Sequence, residues 1–443
     1  MFDEVRVIPC GPRPDKPTTD TVPAVYRAAL ADLTFGPVPG VTVDLFDLEQ
    51  ASFTTNIRLQ ERFANEGEVW HVVGADLVEG GSKDDSLIQR TWERGGELWS
   101  NAQFLVMKRP GYALATEDLP PKSEVLEMDE EGSSTAIREA IGRGVIDSDM
   151  MTTRALAYVE RYGLYRAPIP GMWARGSLSG ATHQMLCDNA NPRAVALSKQ
   201  LPAGEVEGDG EPDFFTVLGG DGAMLRNIRE RWRDRMPFFG VNAGHLGFLM
   251  NAPAEVLDSP FPPQDVIFRQ LPMLYLEFEC ADGSTTTDYA FNDAWVERST
   301  SQSAWLQITV NGVTRIEKLV CDGGLVATAA GSTAYARSMG AQPLLADSTA
   351  WLLVGSNVME PANWKSALLS PDATVEIRSL SNVARPVEAY VDGISRGPVV
   401  ALRARLSRAA ATELVFCASH DMAEKIAAIQ FHGLARKTNG NGF

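Results

Sequence analysis

The sequence is short of the residues that staple, ligate or anchor a chain. Its five cysteines (Cys10, Cys187, Cys280, Cys321, Cys417) are odd in number and scattered, and no two form a CxxC pair. That gives neither a disulfide framework nor a zinc ligand set, and it suits a reducing, cytoplasmic compartment. The five histidines (His71, His183, His245, His420, His432) stand singly. No apolar run approaches the length that crosses a bilayer. Met1-Phe2-Asp3-Glu4 has no basic segment leading an apolar one, so no signal peptide is expected. Positive charge is in deficit as well: 40 Lys and Arg against 57 Asp and Glu leave a net charge of −17. Such a balance disfavours nucleic acid or an anionic membrane as main partner. What is present is an ordinary globular composition, 44% hydrophobic and 22% charged, over 443 residues. Two or three domains are expected.

The stretch on which the chain turns is Val217-Leu218-Gly219-Gly220-Asp221-Gly222-Ala223-Met224-Leu225. Its apolar entry reads as a buried strand, and Met224, Leu225, Ile228 and Trp232 follow at helical spacing. Strand, glycine turn and helix together bring backbone N–H groups and a helix N-terminus up to phosphate. The single carboxylate, Asp221, has three readings: it holds Mg²⁺, it takes a proton from an incoming hydroxyl, or it caps the helix.

Two further stretches narrow the choice. Asn242-Ala243-Gly244-His245-Leu246-Gly247-Phe248-Leu249 lies downstream, and Asp322-Gly323-Gly324 through Thr328-Ala329-Ala330-Gly331-Ser332-Thr333-Ala334-Tyr335 comes later, with Phe291-Asn292-Asp293 between them. Asn242 and Gly244 suit a turn with positive φ, His245 reads as structural, and Phe248 could floor an apolar ligand ring. In this order the stretches resemble the NAD kinase family, whose pattern is GGDG, NxGxLGF, NE, then DG…TPxGSTAY. The resemblance spans about residues 183–435. It implies ATP as phosphoryl donor, NAD as acceptor at the adenosine ribose 2′-hydroxyl, and Mg²⁺. Asp221 would act as base, with Gly219, Gly220 and Gly222 letting phosphate approach. Asn292 and Asp293 would hold sugar hydroxyls, and Asp322 would receive the carboxamide. Ser332, Thr333, Ala334 and Tyr335 would line the dinucleotide. Ser338 and Asp392 stand level between ligand contact and a cap or turn role. Two departures are visible: NE is ND here, and TPxG has lost its proline.

The first part of the chain alternates strand and helix periods, which implies a parallel sheet. Strands are expected at residues 5–9, 41–45, 70–73 and 104–107, and a helix at 25–33. Its chemistry candidates are Asp76, Trp92 and Ser133-Ser134-Thr135-Ala136-Ile137-Arg138, where a helix start and a guanidinium could converge on phosphate. The ordinary alternative is a serine cap followed by a solvated arginine. Phe2-Asp3-Glu4-Val5, Pro14-Asp15-Lys16, Ser52-Phe53-Thr54, Gly74-Ala75-Asp76, Trp92-Glu93-Arg94 and Arg109-Pro110-Gly111-Tyr112 in this order resemble a bacterial nicotinate/nicotinamide mononucleotide adenylyltransferase. That family's ribose, pyridine and phosphate roles would fall on Asp76, Trp92 and Arg138, with Thr54 near the pyridine substituent. Its opening strand and HxGH loop have no counterpart here. Either the start lies upstream or the domain has lost its catalytic edge, so little adenylyl transfer is expected.

The expected architecture is α/β. It comprises a Rossmann-like nucleotidyltransferase domain lacking its first strand (1–166), a Pro/Gly/Ser linker (167–182), an NAD-kinase-like α/β subdomain (183–258) and an all-β sandwich (259–417). A C-terminal helix (418–443) returns to the α/β subdomain. A fragment of residues 183–443 is expected to fold alone. The expected partners are small nucleotides (NAD, ATP, NMN or nicotinate mononucleotide), in a homo-oligomer. Two rival readings remain: a sugar or lipid kinase sharing GGDG beside a non-catalytic nucleotide-binding domain, or mainly an adenylyltransferase.

Overall fold

The computed structural model describes residues 2–13, 16, 21–129, 132–145, 150–166, 171–202 and 211–431. Pro14, Asp15, His432, residues 204–210, part of the linker and the end of the expected C-terminal helix (432–443) fall outside them. The chain divides into two compact units. One contains residues 1–7, 23–45 and 153–443, the other residues 8–22 and 46–152. This differs from a division at 166: the helix Ala24–Phe35 packs on the strand Ala401–Cys417 and on the helix Thr153–Tyr162, which packs on the strand Trp173–Gly176.

The smaller unit holds a parallel three-stranded sheet of Trp70–Gly74, Gln103–Lys108 and Ser123–Glu127, in that order. Its core gathers Ile57, Val73, Ile88, Leu98, Trp99, Phe104 and Val106. The expected strands at 70–73 and 104–107 are present and parallel. Those expected at 5–9 and 41–45 appear as Val5–Val7 and Val41–Val43, which pair with each other in a separate parallel sheet of the larger unit.

In the larger unit, Phe214–Gly219 is buried along its whole length, as a central parallel strand should be. It lies between His183–Cys187 and Phe238–Asn242, parallel to both. The change to a period of two at about residue 266 does not start a separate sheet. The 17-residue strand Ala401–Cys417 pairs with Val266–Glu279 along almost its full length, and its last third runs beside Phe238–Asn242, with Leu414 opposite Phe238. One ten-stranded sheet therefore carries both the α/β and the all-β parts. A second, six-stranded sheet faces it across a core of Leu276, Phe278, Val296, Leu306, Trp351, Ile377 and Leu402. This is the expected sandwich. The hairpin of Ala304–Val310 and Val313–Cys321 turns at Asn311 and Gly312, both at positive φ, as a type I′ turn requires.

The helices Ala24–Phe35 and Thr153–Tyr162 belong to this unit by buried polar contacts as well as apolar ones. Asp32 is 3% exposed and accepts from Arg235 Nε (2.8 Å) and Arg233 (2.6 Å). Glu413 accepts from Tyr162 Oη (2.5 Å) and Arg161 (2.7 Å). Tyr158 meets Gln270 by a side-chain hydrogen bond. Among the described residues, no helix is long and apolar enough to cross a membrane.

Candidate active site

The glycine turn is built by close approach of two loops. Gly220 precedes the helix Asp221–Arg231 in extended conformation, and a Cβ on Gly244 would stand 3.3 Å from the Gly220 Cα. A Cβ on Gly219 would meet the Ala223 side chain at 2.6 Å, whereas Gly222 faces open space. The second loop is not turned as expected. Asn242 and Gly244 keep negative φ; Asn242 Oδ1 accepts from the Gly244 N–H (2.8 Å), and Gly247 takes the left-handed conformation at φ 62°.

Asp221 sits in the first turn of its helix and reaches across to this loop. Its Oδ2 accepts from Phe248 N–H (3.0 Å) and its Oδ1 from Leu249 N–H (2.9 Å). Burial raises its pKa, against the lowering pull of those two N–H groups and of Lys425. Lys425, on the closing helix Met422–Phe431, donates to Gly247 O and Met250 O, both at 2.6 Å. Burial lowers the pKa of this ammonium, while Glu255 and Asp221 oppose that. Phe248, expected as the floor of a ligand ring, is instead buried against Ile426 and Ile429 of the same helix. His245 and Leu246 are exposed at the loop tip.

The third and fourth motifs arrive over a shared apolar cluster. Ala223 and Met224 from the glycine-turn helix, Leu249 and Met250 from the second loop, Phe291 before Asn292, and Ala330 before Gly331 all belong to it. Thus four stretches far apart in sequence meet around one core. Asn292 is 8% exposed, and its Oδ1 has no hydrogen-bond partner. Asp392 accepts at one oxygen from Phe291 N–H (2.8 Å) and at the other from Asn292 N–H (2.8 Å) and Asp293 N–H (3.1 Å). Thr328 Oγ1 donates to Phe291 O (2.7 Å) and accepts from Gly331 N–H (3.0 Å). A Cβ at Gly331 would lie 2.0 Å from Asn292 O. The threonine and glycine of the pattern thus lock the loop onto the Phe291–Asn292 backbone without the proline.

Asp293 turns inward. It is 4% exposed, receives the Tyr335 N–H, and has its pKa pushed up to about 8 by burial and by the neighbouring Asp392. Asp322 accepts from Arg298 Nε (2.6 Å) and Asn357 Nδ2 (2.8 Å). Tyr335 is 39% exposed, and its pKa is raised by burial and then by the carboxylates of Glu297, Asp293 and Asp322. Its ring stands edge-on to Trp295 at 4.9 Å, and Trp295 stacks on Tyr390 at 5.0 Å. Ser332 is fully buried, donating to Ala329 O (2.6 Å) and accepting from Leu344 N–H (2.8 Å), so it fastens the turn. Thr333 bonds Ala330 O at 3.2 Å, Ala334 is exposed, and Ser338 bonds Tyr335 O at 2.7 Å.

Sequence reasoning missed Lys425, Thr328 as a lock, and the Trp295–Tyr390 stack. Lys425 carried no signal beyond its place on an amphipathic helix. The arginines after the glycine turn divide by role: Arg233 and Arg235 bind Asp32, while Arg229 donates to Asp392 O (3.4 Å).

In the smaller unit, Asp76 is exposed just beyond the carboxyl end of Trp70–Gly74. Thr54 gives both its hydroxyl (2.6 Å) and its N–H (3.0 Å) to Asp47. Trp92 packs partly buried against the unit's core. Ser133 caps the helix Ser134–Gly142 through Ala136 N–H, and Arg138 donates to Thr135 Oγ1 (3.2 Å). His71 is buried with its pKa lowered to about 4 by burial.

Comparison with known proteins agrees with the larger unit. Residues 174–259 match the model of the ATP-NAD kinase N-terminal domain. The NAD kinase of Rickettsia akari (strain Hartford) is 34% identical over 223 residues, which is 50% of this chain and 87% of that protein. The NAD kinase of Rickettsia bellii (strain OSU 85-389) matches to the same extent. Among solved structures, yeast NADH kinase complexed with NADH aligns at 15% identity and a TM-score of 0.41, covering 85% of this chain and 91% of that one. An NAD kinase from Archaeoglobus fulgidus in complex with ATP aligns at 20% identity and a TM-score of 0.41, covering 56% and 98%. On the identity to proteins of which it spans nearly the whole length, and on the ordered motifs that its larger unit gathers around one core, this chain belongs to the NAD kinase family.

Proposed function

We propose that the larger unit transfers the γ-phosphoryl group of ATP to the adenosine ribose 2′-hydroxyl of NAD, giving NADP. The observation that carries this reading is the convergence of four motif stretches on one apolar cluster, with an unpartnered buried acceptor, Asn292 Oδ1, left among them. A buried acceptor without a donor costs about 1–3 kcal/mol, and a sugar hydroxyl supplies the missing donor. Asp221 is the carboxylate for proton acceptance. Its oxygens each hold one backbone N–H and keep a further lone pair, and burial raises its basicity. The open side of Gly222 and the start of the helix Asp221–Arg231 would admit the phosphates. Exposed Tyr335, with Asp322 and Asp293 within electrostatic reach, would line the dinucleotide. Ser332 and Phe248 act through the fold rather than by touching substrate.

Among the described residues, no group of three or more His, Cys, Asp and Glu side chains is placed to hold a metal ion. Mg²⁺ needs no such group, since one or two carboxylates together with substrate phosphates and water ordinarily complete its shell. In this reading the ion belongs to the substrate, carried on the ATP phosphates. Phosphorylation of NAD by the purified chain with ATP and Mg²⁺ tests the proposal, and sugar or lipid acceptors in its place would support the rival kinase reading. A second reading assigns the smaller unit to adenylyl transfer onto NMN or nicotinate mononucleotide. It is favoured by Asp76 at a strand's carboxyl end and by Arg138 one turn into a serine-capped helix. Dinucleotide formation from either mononucleotide and ATP tests it.

A further inference from the structure

Asp392 sits at the tip of the hairpin Val387–Val391 and Ile394–Val399. Its φ of 46° and the 85° of Gly393 make a type I′ turn, and such a turn needs no carboxylate at its first position. Yet this carboxylate is 4% exposed. It is turned back under the strand start, holding the N–H groups of Phe291, Asn292 and Asp293 at 2.8, 2.8 and 3.1 Å. Burial and ionic repulsion make this an expensive place for a second acid: burial raises the pKa of Asp392, and its charge raises that of Asp293. The three N–H groups are what compensate it. The same residue also faces the opposite motif, since its carbonyl accepts from Arg229 (3.4 Å) on the helix that starts at Asp221.

We infer that Asp392 is a positioning residue for the acceptor nucleotide. It fixes the backbone on either side of Asn292 so that the unpartnered Oδ1 keeps its place, and through Arg229 it registers that group against the helix bearing Asp221. The inference rests on the reading of Asn292 as a contact to the acceptor sugar. A residue serving only the hairpin would have no reason to bond three consecutive N–H groups of the turn that leads into the strand Asp293–Arg298.

Two variants of the full chain, D392N and D392G, separate the roles, because Asn-Gly and Gly-Gly are both favoured type I′ turns and keep the hairpin. Each removes the charged clasp. The expected result is a KM for NAD raised roughly tenfold or more, with the KM for ATP within about twofold of the wild type. In the double-mutant cycle with N292A, the two effects should be strongly non-additive, because both act on one contact. Additive effects, an unchanged KM for NAD, or equal rises in both KM values would overturn the inference. A wild-type chain that does not phosphorylate NAD overturns instead the reading beneath it, and shows this before any variant is made.

Discussion

The substitution D32N asks whether the first helix is part of the kinase unit. Asp32 lies on Ala24–Phe35, and its carboxylate is the countercharge of Arg235, whose side chain is 4% exposed. Asparagine keeps the shape and removes the charge. Arg235 would then retain Ala409 O and Ala411 O at 3.2 Å as acceptors, without the carboxylate that pairs with it. Breaking a buried pair from one side costs about 3–5 kcal/mol. With two carbonyls still in place, the lower end of that range is the better figure, about 3 kcal/mol. Arg233 adds little, being 43% exposed and free to turn to water.

The assay is urea unfolding followed by residual NAD phosphorylation as well as by circular dichroism. A loss of about 3 kcal/mol moves the midpoint by on the order of 1 M. The activity midpoint should move with it, because Arg235 follows the helix that begins at Asp221. R233M provides the control and should shift the midpoint by less than about a third as much. If D32N changed the circular dichroism transition and left the urea dependence of kinase activity unmoved, the first helix would belong to a separate folding unit. The fragment 183–443 would then fold alone, as the linker's composition suggests. The structure leads us to expect the opposite, an insoluble fragment, because removing residues 1–182 uncovers Tyr158, Val159 and Tyr162 contacts on the sheet.

Three further outcomes are expected. D221N should lower kcat by roughly 10²–10⁴ with NAD affinity nearly unchanged, the usual worth of a positioned base; an unchanged kcat places the base elsewhere. K425M leaves Met250 O without its donor, while Gly247 O keeps Met250 N–H (3.2 Å), so it should cost about 1–3 kcal/mol in urea unfolding and also lower kcat, since those carbonyls flank the N–H groups that hold Asp221. A drop in stability with full kcat would detach Lys425 from the site. For Asp293, the folded carboxyl keeps its proton up to about pH 8, whereas the unfolded one ionises near 3.8. Between these values the unfolded chain releases a proton that the fold retains, so stability falls as pH rises through that window. D293N removes this titration and should gain in melting temperature over the wild type from pH 5 to pH 8; parallel curves would refute it.

The glycine turn and its neighbours were legible because several signals agreed there. An apolar run fixes the strand, glycine admits close approach, and a 3.6-residue period starts immediately after. Phe248 shows where such reading stops. The loop pattern and the amphipathic closing helix were each visible, but that one fills the other is a fact of docking, which neither period encodes. Ser332 is similar: a hydroxyl in a ligand-lining motif carries no mark of whether it points to solvent or, as here, ties Ala329 to Leu344. Asp392 was left between a turn role and ligand contact. Asp-Gly after an alternating strand explains the turn locally, and nothing in it encodes the bonds to backbone N–H groups a hundred residues earlier.

The packing of the two outlying helices was illegible for a related reason. Helices Ala24–Phe35 and Thr153–Tyr162 each present an apolar face that any α/β sheet could cover, and sequence adjacency favours the sheet of residues 70–127. What decides the matter is polar. Asp32, Arg161 and Tyr162 are costly to bury unless they meet Arg235 and Glu413, which lie some two hundred positions away. Apolar periodicity tells which side of a helix is buried, while buried charge tells against what. Since Arg235 closes the turn after the Asp221 helix and Glu413 lies on the strand that joins both parts of the large sheet, the two outlying helices are fastened to the elements that set the site, and a mutation in them should register in kinase turnover.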